Sequence, residues 1–312
     1  MSTSPQTQYS QDSPTSGMTR SYGSPRSLFG IVMTIVAGAC LAITLVPLFA
    51  VILYVLSKGI NRLNFSLFIQ LPPAAGQAEG GIANAIIGTL MVVGIATLIA
   101  VPFGVLAAVY LSEFSSGKLT RWIRFATNVL SGVPSIIAGV FAYGILVQPS
   151  ILTKFVLQKP EGGFSAIAAG AALAVLMLPT IVRTTDEALQ IVPQDIRWAS
   201  LGVGASNYQT VLKVVLPAAI PAILTGVTLA IARAAGETAP VLFTAFNSPF
   251  MPNLPPQGLL EPIATLSYLI YDFARVTDAF QNELAWAASL ILVFMILLTS
   301  ILARWATRKR IY

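Results

Sequence analysis

The sequence predicts an all-α, polytopic membrane protein with six transmembrane helices. Two observations carry that prediction. Hydrophobic residues make up 55% of the 312 residues and charged residues only 10%, with a mean hydropathy of +0.78, whereas soluble domains carry about 25% charge. The few charges are also gathered between uncharged runs that reach the roughly 20 residues needed to cross a bilayer as a helix.

Taken in order, residues 1–27 are rich in Ser, Thr, Gln and Pro and nearly free of bulky aliphatics. Such a segment cannot bury a core, so a disordered cytoplasmic tail is expected. The uncharged runs then give spans at Leu28–Ser57, Gly80–Ser112, Phe125–Thr153 and Gly162–Val182. A fifth runs from Val214 to Ala232 and on to Phe246, and a sixth covers Leu284–Ala303. Leu259–Tyr271 is apolar but short and interrupted by Glu261 and Pro262, so it is expected to be interfacial or re-entrant. Many spans carry small residues, as in Gly162–Ala172, which let helix backbones approach closely in lipid.

Six spans place both termini on one side. With the termini inside, the inner segments hold twelve basic residues: Arg20, Arg26, Lys118, Arg121, Arg124, Arg183, Arg197, Lys213, Arg304, Arg308, Lys309 and Arg310. The outer segments hold five, Lys58, Arg62, Lys154, Lys159 and Arg275. The excess predicts cytoplasmic termini in a multi-pass protein. Topology also accounts for the net charge of +6, so no nucleic-acid partner is expected. The other partner set by composition is membrane lipid.

There is one cysteine and no histidine. An internal disulfide and Cys/His metal sites are excluded, as is catalysis by Ser/His/Asp or Cys/His. Cys40 is expected to be a small buried hydrophobe. No metal and no cofactor are expected. The chain also lacks the Gly-x4-Gly-Lys-Ser/Thr phosphate loop, so it is not expected to hydrolyse ATP.

The inner loop at about 184–216 combines a helical stretch before Pro193, a second short helix carrying Trp198 and Ala199, and a break at Gly202 and Gly204. Glycine permits a sharp turn there. Ala205 follows, and Ser206 or Asn207 can cap the next helix. A helix–turn–helix on the inner face suits docking of a soluble partner.

Arg233 and Glu237 are the most costly residues of the chain. A charge inside a lipid-length segment costs roughly 3 kcal/mol or more, so it marks a functional site by default. Four residues apart, they share a helix face. Arg presents a fork that grips oxyanions in bidentate fashion, Glu237 is its counter-charge, and Thr238 offers a hydroxyl. Gly236 and Pro240 loosen the helix, an interruption typical of transport sites. Counting 1.5 Å per residue from Pro217 puts Arg233 about 24 Å along, in the middle-to-outer part of a core about 30 Å thick. The alternative role is an ion pair that only fixes helix packing. Arg183 is a further candidate, also readable as an inner-side anchor, and Asp186 and Glu187 are assigned to the solvated loop.

Two resemblances follow from these segments. The loop resembles the Glu-Ala-Ala-x3-Gly-x9-Ile-x-Leu-Pro signature of ABC importer permeases, with Trp198-Ala199-Ser200, then Gly204, then Val214-Val215-Leu216-Pro217 at matching spacing. Trp198 departs from the family's Glu. More specifically, Ala232-Arg-Ala-Ala-Gly-Glu-Thr-Ala-Pro240 resembles the fifth-span motif of PstA-type permeases of the high-affinity phosphate ABC importer. Gly80–Thr89, Gly132–Gly139, Val182–Thr185 and Glu261–Ala264 resemble that family too. The resemblance covers the chain from about residue 80 onward.

It implies a type I ABC importer permease fold over 28–312, in a bacterial plasma (inner) membrane, importing phosphate by alternating access. It also implies a PstC-type permease partner, a cytoplasmic ATPase subunit dimer docked at Trp198, Ala199, Gly202, Gly204, Ala205 and Ser206, and an extracytoplasmic phosphate-binding protein. Arg233, Glu237 and Thr238 would lie on the substrate pathway. The competing expectations are an ABC permease for another oxyanion or solute, an ion-coupled secondary transporter or channel, and a membrane scaffold.

Overall fold

In a computed structural model, residues 25–115, 117–149, 163–253 and 255–308 are described, and among them every regular element is helical. The tail before residue 25 and the segment 150–162, with Lys154 and Lys159, lie outside the described residues. The chain separates into two compact units, Met1–Tyr54 and Val55–Tyr312.

Helix α1, Pro25–Gly59, begins three residues before the expected span and makes up the described part of the first unit. Its side chains are exposed from Leu28 to Tyr54, and Cys40 is exposed rather than buried as expected. Lipid is as apolar as the side chains themselves, so no hydrophobic force drives such a helix to cover them with protein.

In the second unit, α2 spans Ala83–Val109 and runs on through a π-helical turn, Tyr110–Phe114. The expected third span is broken into two helices. Helix α3, Lys118–Ser131, and helix α4, Ser135–Ala142 with a π turn to Val147, meet at 101°. The cause is Gly132-Val133-Pro134: Pro134 has no N–H to donate, and Val133 before it is pushed out of the helical region. Charge counting alone passes over this break. Five described helices are long and apolar enough to cross a bilayer, and the bent pair is the sixth candidate.

Helix α5, Ala166–Ile191, starts on the Ser165 side chain, whose oxygen accepts from the Ala168 amide. It extends nine residues beyond the expected span, so Arg183, Asp186 and Glu187 lie on the helical stretch expected before Pro193, Arg183 and Glu187 exposed and Asp186 half-buried. Next come α6, Gln194–Gly202, and α7, a continuous run from Asn207 to Gly236. The remaining helices are α8, Ala239–Thr244, α9, Leu266–Phe273, and α10, Ala279–Arg308.

The main core joins α2, α5, α7 and α8 through residues such as Val92, Leu173, Ile181, Val227 and Val241. A second core gathers α9 and α10 around the outset of α2, with Ile82, Leu266, Leu269 and Ala288. Small residues set the spacing. Gly226 of α7 lies against Thr184 of α5, and Gly88 of α2 lies against the carbonyl of Ala264. A Cβ at either glycine would overlap its neighbour, so these crossings require a residue without one.

The segment expected to be interfacial or re-entrant is described throughout. Gln257–Leu260 forms a short 3-10 turn, Glu261 and Thr265 are extended with no regular element between them, and α9 follows. Ile263 and Ala264 are buried. Buried non-helical backbone requires internal partners, and it has them. The Ile263 amide donates to Ala245 O at 3.0 Å, the Ala166 amide to Glu261 O at 3.2 Å, and the Ser165 amide to Thr244 O at 3.0 Å. The Leu266 amide donates to the Thr89 hydroxyl at 2.8 Å.

Candidate functional site

The Arg233–Glu237 pair lies where α7 ends. Glu237 has left the helix, with φ −71° and ψ 124°, and α8 starts two residues later with Pro240 in its first turn. The sequence explains the break. Pro240 supplies no N–H to the carbonyl four residues back, at Gly236, and glycine is itself a weak helix former. The fifth span is therefore two helices rather than the single run to Phe246 that hydropathy suggests.

Across this break Arg233 Nε faces Glu237 Oε1 at 3.4 Å. The arginine side chain is 59% exposed and the glutamate 18%. Leu176, Met177 and Thr180 of α5 line a narrow notch with Ala230, Arg233, Ala234 and Glu237. The Thr238 hydroxyl makes no hydrogen bond among the described residues and is partly exposed. The break is held from α9, where Ser267 Oγ donates to the Glu237 carbonyl oxygen at 3.0 Å. The site thus offers an accessible guanidinium, a less exposed carboxylate beside it and a spare hydroxyl, on a backbone anchored elsewhere. Such a set can exchange one carboxylate partner for a diffusing oxyanion. Among the described residues no group of His, Cys, Asp or Glu has the arrangement of a metal site.

The inner-loop candidates fall on α6 and the turn after it. Trp198 is 65% exposed, and α6 buries none of its own residues. Gly202 ends the helix and Gly204 has φ +92°, a left-handed conformation that side chains resist. Ser206 then caps α7 in a reciprocal box with Gln209, in which each side chain accepts from the other's amide. Ala199 and Ala205 flank this turn, Ala199 O accepting from the Val203 amide and the Ala205 amide donating to Ser200 O. Arg183 pairs with Glu187 at 3.0 Å on the exposed side of α5, and Asp186 receives Arg124 of α3 at 3.1 Å.

Composition and motif reading missed two features. Glu113 and Arg197 form an ion pair whose side chains are only 7% and 14% exposed. The signal was a lone acid directly after the uncharged run ending at Ser112. Asn84 is fully buried and donates to Ser248 O at 2.8 Å; a polar residue in the Gly80–Thr89 motif was its trace.

This arrangement of bent and broken helices is the permease fold of ABC importers. The structure is similar to a chain of the bacterial alginate ABC transporter in complex with alginate pentasaccharide-bound periplasmic protein, with a TM-score of 0.63 at 15% identity, covering 91% of this chain and 98% of that one. A chain of the inward-facing MetNI methionine ABC transporter gives a TM-score of 0.57 at 20% identity, covering 73% and 97%.

The model of the family described as binding-protein-dependent transport system inner membrane component matches residues 100–312. The phosphate transport system permease protein PstA of Haemophilus influenzae is 40% identical over 252 residues, 80% of this chain and 83% of that one. The probable PstA of Methanocaldococcus jannaschii is 32% identical over 280 residues, covering 90% and 94%. The chain belongs to the inner membrane components of binding-protein-dependent transport systems, within their PstA family.

Proposed function

We propose that the chain is one permease subunit of an ATP-driven importer that moves inorganic phosphate across the plasma (inner) membrane by alternating access. The carrying observation is the accessible Arg233 guanidinium at a helix break, in a chain 40% identical to a PstA permease. Phosphate near neutral pH is a strongly hydrated anion. Crossing lipid thickness needs a fixed cation that holds it briefly, and the Arg fork matches its oxygens. Glu237 neutralises the arginine when no anion is present and competes for it on release. Thr238 adds a donor. The packing-only role is less favoured, because the break is anchored through the Glu237 main chain rather than its carboxylate.

In this reading the exposed Arg233 faces a path shared with a second, PstC-type permease. A cytoplasmic ATPase dimer docks on the Trp198–Ser206 segment and supplies the hydrolysis, and a phosphate-binding protein delivers the anion from outside. Both termini are cytoplasmic, the tail 1–27 is separate from the permease domain, and the twelve-to-five distribution of basic residues supports that orientation.

The test is uptake of labelled phosphate by the four-component complex reconstituted in liposomes. ATP-dependent uptake resisting excess sulfate and molybdate is the expected result. Uptake that persists with an inactive ATPase points to a secondary transporter, and preferential competition by another oxyanion reassigns the substrate.

A further inference from the structure

Nothing in a docking reading explains how a helix that buries none of its own residues could move the span bundle. The Glu113–Arg197 pair supplies the connection. Arg197 is on α6, next to the exposed Trp198. One terminal nitrogen of its guanidinium meets Glu113 Oε2, and the other donates to the Leu189 carbonyl at 2.8 Å. Glu113 belongs to the π turn that ends α2, and Leu189 to the last turn of α5. A single planar, rigid fork therefore ties α6 to the inner ends of α2 and α5, two of the four helices of the main core. A flexible ammonium could not fix three elements in one plane in this way.

Neighbouring contacts close the same corner. Ser200 of α6 and Thr210 of α7 share a hydroxyl–hydroxyl bond of 2.9 Å, and the rings of Phe114 and Tyr208 lie 6.3 Å apart. α7 has its own π turn directly after, Val211–Val215. Widened turns of this kind are uncommon and often accompany functional sites. Arg197 Nε is buried without a hydrogen-bond partner among the described residues, so the fork keeps one donor for a different pairing when α6 shifts. A buried ion pair contributes little net stability compared with an apolar replacement, whereas losing one partner strands a charge. Its value is positional.

We propose that Glu113 and Arg197 are positioning residues that form a strut passing displacement of α6 to α2 and α5, so that ATP hydrolysis in the docked subunit is coupled to opening of the path. The proposal rests on the permease reading above. It assigns a role to two residues outside the substrate path.

The experiment uses the complete complex in liposomes, reading phosphate uptake and ATP hydrolysis together for wild type, Glu113→Gln, Arg197→Lys and the exchanged Glu113→Arg/Arg197→Glu. Arg197→Lys keeps the charge and protects folding while removing the fork. The single variants are expected to assemble and hydrolyse ATP, with the ATP spent per phosphate rising about tenfold, the scale of residue-level coupling effects. The exchanged pair is expected to keep the raised ratio, because a carboxylate at position 197 offers the Leu189 carbonyl no donor and α6 stays untied from α5.

An unchanged ratio in Arg197→Lys and Glu113→Gln overturns the strut. So does loss of uptake in strict proportion to loss of bound ATPase, because a merely structural residue would give that result. A wild-type complex that takes up no phosphate with ATP instead refutes the permease reading, which separates the two failures.

Discussion

Ser267 Oγ donates to the main-chain oxygen of Glu237 at 3.0 Å, so the break beneath the exposed Arg233 is anchored by α9 and leaves the Glu237 carboxylate free to change partners. The proposed transport site needs a fixed backbone and exchangeable side chains. Replacing Ser267 with Ala is expected to cost about 1 kcal/mol, the net worth of one such hydrogen bond. Phosphate KM in reconstituted complexes should rise while ATP hydrolysis persists. An unaltered KM would show that α9 does not set the geometry of the break.

Gly88→Ala is expected to be among the more damaging small substitutions. The added methyl would meet the Ala264 main chain, which cannot rotate away as a side chain can. Overpacking of this sort costs about 1–3 kcal/mol. Thermal unfolding of the purified complex in detergent should show a clearly lowered midpoint.

Gly204→Val places a β-branched residue at φ +92°, a conformation that costs roughly 1–2 kcal/mol for an L side chain. Ser206→Ala removes the helix cap, worth about 1 kcal/mol. Each is expected to reduce the amount of ATPase subunit that co-purifies with the permease, and the double variant to reduce it further. Trp198→Ala should act on the same readout while leaving the permease's own thermal stability unchanged.

Asp278 is expected to confer a pH dependence confined to acid. Hydrogen bonds from the Gln281 and Gly76 amides, and from the Phe280 amide, hold its carboxyl below the ordinary value of 3.8. The depressed native pKa means its contribution is complete above 3.8 and is lost as pH falls below that through the native value. Hydrogen exchange at Gly76 and Gln281 should therefore be flat from neutral pH to about 4.5, once intrinsic rates are removed. Asp278→Asn should lift protection at both amides without needing acid.

Much of this was legible in the sequence, for reasons that differ by element. Uncharged runs gave the helices because lipid tolerates few charges, and Gly204 and Ser206 gave their turn and cap because those conformations favour those residues. Gly236 and Pro240 marked the interruption beside Arg233. The kink at Gly132–Pro134 was present in the letters but hidden from a count of charges, since proline is apolar enough to pass for span. The burial of 263–265 and the pairing of Glu113 with Arg197 were not legible. Both depend on contacts between segments far apart in the chain, and no local pattern records the partner.

The most direct test of the central claim replaces Arg233 with Gln in the complete reconstituted complex and measures ATP-dependent phosphate uptake alongside subunit assembly. The account predicts an assembled complex with uptake abolished, and Arg233→Lys retaining some uptake at a raised KM because it keeps a charge without the fork. Uptake by Arg233→Gln at wild-type rate and KM would contradict it, and the pair would then be a packing device.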